Sequence, residues 1–306
     1  MSEHVELPVR GPFSLRAAAE FGFGPRAGGA GTFDGAMRLA FPVDGGRGYA
    51  GAVVRRPRSD GPLAVELHST GGAAPDTVGR QLARILSLDY DGEEFIRVGE
   101  RDAVIGALQR THPGQRPVLF HSPYEAAAWS IISARRPARQ AAVARGALAE
   151  RLGAGFELAG RALHGFPQPG DLLAGLADDA PGLTAEKVAR LRGVAQAAVR
   201  GELDADRLQA LGPEEALEAV KRLKGLGAFY ASLVVVRATG FADALLPVAE
   251  PKLLGHAARL YGTEMTLARF AELAEVWRPF RTWATVLIRL AGDRGDPPVT
   301  PAPDGR

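Results

Sequence analysis

The segment Leu223-Lys224-Gly225-Leu226-Gly227, running into Ala228-Phe229-Tyr230-Ala231-Ser232-Leu233, constrains this 306-residue chain more than any other stretch. Helical patterns precede it at Pro213 to Arg222 and follow it at Ala228 to Ala238, so the five residues read as a tight hairpin between two helices. Glycine at 225 and 227 permits left-handed backbone angles and leaves no Cβ in a partner's way. Hairpin amides and the positive end of the second helix can then approach a phosphate closely. Taken alone, the same residues also describe an ordinary turn between packed helices, so their meaning depends on the rest of the chain.

Hydrophobic residues make up 46% of the sequence, as in a globular protein, and the length allows two domains. Net charge is only +2, although the isoelectric point of about 9.1 leans basic. Any polyanion must therefore be held by a local basic face rather than by overall charge. Three clusters qualify: Arg55-Arg56-Pro57-Arg58, Arg135-Arg136-Pro137-Ala138-Arg139 and Lys221-Arg222-Leu223-Lys224. The sequence has no cysteine, which excludes disulfides, thiolate zinc sites and a four-cysteine iron–sulfur cluster. The six histidines show no metal-ligand spacing, and no cofactor or metal is expected. No apolar run reaches membrane-spanning length and the first residues lack a basic, then apolar, leader, so a cytoplasmic location is expected, on the nucleoid when DNA is bound.

Apolar residues alternate over Met37–Val43 and over Leu63–Leu67, with Tyr49–Arg55 between glycine and proline turns, which predicts an antiparallel sheet. Pro75-Asp76 opens a helix with apolar positions Val78, Leu82, Ile85 and Leu86. From about Ser122 the pattern is all-helical, and from Gly292 it is rich in glycine, proline and aspartate. The expected organisation is an α+β sheet domain over 1–115, an all-α core over 116–291 and a disordered tail over 292–306.

Three separated stretches then fall into a known order. The hairpin is followed by an apolar helix, by Asp243-Ala244-Leu245-Leu246-Pro247 and by Glu250-Pro251 opening the next helix. Upstream lies Pro123-Tyr124-Glu125-Ala126-Ala127-Ala128-Trp129-Ser130-Ile131-Ile132-Ser133, and downstream Glu275-Val276-Trp277-Arg278-Pro279-Phe280-Arg281-Thr282-Trp283-Ala284. Together these resemble the helix-hairpin-helix DNA glycosylases, most closely the DNA-3-methyladenine glycosylase II branch, whose corresponding segment reads "D-A-x-L-P". The resemblance implies a TBP-like N-terminal sheet with helix ahead of the helical core. It also implies a monomer acting on double-stranded DNA that contains damaged bases, in base excision repair.

Residue by residue, the resemblance implies that Glu250 is the catalytic carboxylate, at the N-cap of a helix begun by Pro251, where the positive helix end attracts negative charge. The family normally has Asp there. The extra methylene leaves two outcomes open: a pocket reshaped around a longer acid, or a weakly active or non-catalytic relative that still binds damaged DNA. Asp243 is the second candidate acid, at a position that reads as structural. Phe229 stands where lyase-competent relatives carry a nucleophilic lysine, which implies monofunctional hydrolysis. Phe229, Tyr230 and Trp277 are expected to line the base pocket, where ring faces attract a base made cationic by alkylation. Leu223, Lys224, Gly225, Gly227 and Arg135 are expected to contact DNA. Arg135 either fills the gap left by the flipped base or grips a phosphate, and the carbonyls of Leu223 and Gly225 are candidates to hold a monovalent cation.

Overall fold

The computed structural model describes residues 2–21, 33–46, 48–245 and 250–299. Leu246 and Pro247 of the D-A-x-L-P segment, and residues 300–306 of the expected tail, lie outside the described residues. Elements are numbered in chain order. β1 (Ser2–Leu7), β2 (Ala36–Pro42), β3 (Tyr49–Arg55) and β4 (Leu63–Thr70) form an antiparallel sheet in the order β1-β4-β3-β2, and α1 (Leu15–Phe21) connects the first two. Val54 pairs with Val65 and Ala52 with Leu67, which sets the apolar residues of β4 on one face. Against that face packs α2 (Pro75–Ile85), whose Val78, Leu82 and Ile85 join Leu39, Phe41, Val54 and Val65 in one core. Both Leu82 and Ile85 are fully buried, and each contributes about 1.5–3 kcal/mol by leaving water.

The next two helices, α3 (Gly92–Arg101) and α4 (Ala103–Thr111), begin on aspartate caps. Asp91 accepts from the Glu93 amide, and Asp102 from those of Val104 and Ile105. After them come α5 (Pro123–Ser133) and α6 (Ala138–Leu152). A short hairpin of β5 (Gly155–Glu157) and β6 (Ala162–His164) then interrupts the helical half. It was not expected from the sequence: with three residues per strand there is no period to read. Leu158, Phe156 and Leu163 from this hairpin cover Ala36 and Val53 on the second face of the sheet, which is why β3 is buried on both sides.

The helical core continues with α7 (Pro169–Gly175), α8 (Ala185–Val199), α9 (Ala205–Leu211), α10 (Pro213–Lys221), α11 (Ala228–Ala238), α12 (Pro251–Tyr261), α13 (Leu267–Ala274), a 3-10 turn at Glu275–Trp277 and α14 (Arg281–Arg294). It buries two clusters. One joins α5, α6, α8, α10 and α11 around Ile131, Leu191, Val220 and Val234. The other joins α12 to α14 with Phe95, Val98, Ile105 and Leu108, so α3 and α4, though inside the stretch expected to form the sheet domain, pack with the C-terminal helices. Arg84 of α2 ties the sheet side to the helical side, donating to the carbonyls of Ala238 (2.6 Å) and His121 (3.1 Å).

α14 runs to Arg294, past the boundary expected at 291, and Gly295 caps it in the left-handed conformation. Beyond it, His112 pairs with Asp296 at 2.5 Å and the Val299 amide donates to Leu260, so 292–299 are held by tertiary contacts that composition does not show. No helix among the described residues is long and apolar enough to cross a membrane.

Candidate active site and nucleic-acid interface

Residues 222–227 turn the chain from α10 into α11 through main-chain bonds, Leu223 N to Val220 O and Leu226 N to Leu223 O, each 3.0 Å. The two glycines do different work. Gly225 has φ of +98°, and a Cβ there would lie 2.6 Å from Arg190 Cδ and 2.9 Å from Ile131 Cδ1, so it is needed on the inner side, against α8 and α5. Gly227 has φ of −69° and no atom within 4 Å of where its Cβ would be. It caps α11 with no side-chain bond, so no side chain takes up the first-turn amides, and Gly227 and Ala228 are exposed. Arg222, Lys224 and Phe229 are exposed around it.

The basic stretch after α5 meets the same support. Lys187 of α8 donates to the carbonyls of Ile132 (2.7 Å) and Ala134 (2.8 Å), closing the C-terminus of α5. Burial, then Arg136 and Arg190 nearby, lower the Lys187 pKa. The chain then enters Arg135, which is exposed and left-handed at φ +53°, a conformation uncommon outside glycine. The start of α5 is fixed by a buried acid, Glu125, and its two partners. Glu125 accepts from His121 Nδ1 (2.7 Å) and pairs with Arg145. Burial opposes its charge, but His121 and Arg145 prevail and hold its pKa at about 2.

Glu250 takes the N-cap position of α12 with Pro251 following, as the sequence implied, but its side chain does not cap the helix. It turns instead to α14, where Oε1 accepts from Arg289 Nε at 2.9 Å, and the side chain stays 29% exposed. The facing helix is registered by Thr282. Its hydroxyl accepts from the Ala244 amide (2.8 Å) and donates to the Ala244 carbonyl (3.1 Å), pinning the loop that leads towards Glu250. Two turns on comes Arg289, and one further turn brings Asp293, which pairs with Arg289, Lys252 and His256. Burial opposes the Asp293 charge, yet hydrogen bonds from Lys252, Arg289 and His256 hold its pKa at about 2. Arg237, at the end of α11, is close enough to feel both charges: burial and then Arg289 depress its pKa, with Glu250 acting the other way. Asp243 is engaged elsewhere, clamped by Arg281 (2.7 Å) and Arg278 (2.9 Å), which fits the structural reading of that acid.

No protein-family model matches this chain, and no curated protein matches its sequence. Solved structures do. A 3-methyladenine DNA glycosylase from Archaeoglobus fulgidus superposes with a TM-score of 0.78 at 22% identity, over 96% of this chain and 99% of that one. The Clostridium acetobutylicum 8-oxoguanine glycosylase/lyase, in complex with double-stranded DNA, gives 0.60 at 16% identity over 81% and 86%. A DNA-3-methyladenine glycosidase from Bacillus halodurans gives 0.54 at 20% identity over 67% and 92%. The fold is that of the helix-hairpin-helix DNA glycosylases.

Within this glycosylase fold the expected aromatics do not come together as a set. Phe229 is 44% exposed beside the hairpin and meets Tyr230 edge-on, ring centroids 5.3 Å apart. Trp277, expected beside them, is fully buried, donates from Nε1 to Asp102 Oδ2 (2.7 Å) and packs edge-on against Phe270. Its apolar surface is consumed by the cluster that α3 and α4 form with the C-terminal helices. The residues that sequence reasoning missed are Arg289, Asp293 and Arg237. A lone arginine inside an apolar run, Val286-Leu287-Ile288-Arg289-Leu290-Ala291 and Leu233-Val234-Val235-Val236-Arg237-Ala238, signals two of them; Asp293 has no such signal. Among the described residues no group of acids or histidines is arranged to hold a metal ion.

Proposed function

We propose that the chain is a monofunctional DNA glycosylase that flips an alkylated purine of the 3-methyladenine type out of the duplex and hydrolyses its N-glycosidic bond. The observation that carries this reading is the partly open Glu250 carboxylate, fixed by Arg289 at the start of α12, in a fold shared with DNA glycosylases. In the proposed reaction the duplex backbone rests on the hairpin at Gly225 and Gly227, with Leu223, Lys224 and Arg135 alongside, and the Leu223 and Gly225 carbonyls would hold a monovalent cation, whose charge would favour the phosphate. The flipped base lies against Phe229 and Tyr230, whose ring faces favour a cationic base that is already a good leaving group. Glu250 stabilises the positive sugar as the bond to the base breaks and orients the water that adds. With Phe229 where a lyase would need an amine, no Schiff base forms and the abasic site is the product.

One observation favours a second reading, a damage-binding relative without chemistry: the longer acid Glu250 already has a cation partner in Arg289. Release of 3-methyladenine and 7-methylguanine from methylated duplex separates the two. The proposed enzyme releases base as wild type. A protein silent as wild type but active as Glu250→Asp is the binding relative, and silence from both rejects the alkylation-repair reading.

A further inference from the structure

Glu250 shares its arginine with a second acid. Arg289 presents Nε to Glu250 and Nη1 to Asp293, one turn further along α14. Asp293 is held from the other side by two side chains of α12, Lys252 Nζ at 2.7 Å and His256 Nε2 at 3.1 Å, four residues apart on one helix face. The contacts close a ring: Glu250 begins α12, α12 carries Lys252 and His256, these seat Asp293, Asp293 seats Arg289, and Arg289 returns to Glu250. A second feature shows that the seat is built. Beside Asp293 the helix has Gly292, where a Cβ would lie 2.0 Å from the His256 ring. Glycine inside a helix costs about 1 kcal/mol relative to alanine, and here it admits the imidazole.

An arginine facing a single carboxylate tends to a two-pronged pairing that engages both oxygens. Here Glu250 receives a single bond from Nε, while Nη1 of the same guanidinium lies against Asp293. We propose that Asp293, seated by Lys252 and His256, is the positioning residue of the Glu250–Arg289 pair: it draws the guanidinium to one side, so that Glu250 is fixed through one oxygen while the other, with its share of negative charge, faces the cationic sugar. This rests on Glu250 being the reacting carboxylate.

The test uses the full-length protein and two duplexes, one with a cationic pyrrolidine abasic analogue and one with the neutral tetrahydrofuran analogue. Wild type is expected to favour the cationic duplex by about tenfold through Glu250. Asp293→Asn should remove most of that preference and leave affinity for the neutral duplex within about twofold, because Arg289 then closes on both Glu250 oxygens. Asp293→Glu should restore part of it. Lys252→Ala, at an exposed position with little bearing on folding, should shift the preference in the same direction by a smaller factor. An unchanged preference in Asp293→Asn, or a parallel loss for both duplexes, overturns the positioning role. A wild type with no preference overturns the reading of Glu250 itself, and the inference with it.

Discussion

The hairpin at 222–227 and the carboxylate of Glu250 stand at the starts of successive helices, α11 and α12, yet they are held by opposite means. The hairpin is a main-chain object, closed by backbone bonds and seated through Gly225 against Ile131 and Arg190, with its outer face at Gly227 bare. Glu250 is a side-chain object. Its backbone is an ordinary helix start, and its carboxylate is placed by Arg289, 39 residues away, which Asp293, Lys252 and His256 hold in turn. Outer hairpin positions should therefore accept side-chain changes without loss of fold, whereas the acid should respond to its partners.

The largest expected effect comes from breaking what the hairpin rests on. Glu125→Ala leaves Arg145 and His121 without their acid at the start of α5, and thermal unfolding should show a loss of about 3–5 kcal/mol. The associated pH dependence has a definite sign. The Glu125 pKa falls from an ordinary 4.5 to about 2 on folding, so its contribution is complete above 4.5 and lost as pH falls towards 2. Acid unfolding of wild type should be steep across that window and flatter in Glu125→Gln.

Next in size, Glu250→Gln should slow single-turnover base release on the order of 10²–10³-fold, the scale of removing an electrostatic stabiliser from a developing charge. Gly225→Val sharpens the inner half of the comparison. It forces a branched side chain to φ +98° and into Arg190 and Ile131, at a cost of about 1–3 kcal/mol in stability together with weakened duplex binding. The smallest effect is that of Lys224→Ala, with an unchanged melting temperature and a salt dependence of duplex binding reduced by about one unit of slope.

Local signals made part of this legible. Alternation over Met37–Val43 and Leu63–Leu67, Pro75 at a helix start, Gly225 in the turn and Pro251 after Glu250 each act within a few residues, and each sits in the expected element. β1, Ser-Glu-His-Val-Glu-Leu, went unread because an edge strand that is polar on one side offers only Val5 and Leu7 as apolar signal. The Arg289–Asp293–His256 chain was invisible for a different reason. Its members are charged residues on separate helices, whose pairing exists only once α12 and α14 pack. Trp277 shows the same limit: its motif position is readable in the sequence, but its buried hydrogen bond to Asp102 joins residues far apart in the chain.

The division of labour between hairpin and acid is tested most directly by measuring, on one methylated duplex and its abasic product analogue, both the single-turnover release rate and the binding affinity of Glu250→Gln and Gly227→Glu. Glu250→Gln should lose release and keep wild-type affinity. Gly227→Glu, whose added Cβ would meet no protein atom within 4 Å, should keep its melting temperature and lose affinity by about tenfold. Full release by Glu250→Gln, or undiminished binding by Gly227→Glu, would contradict the account.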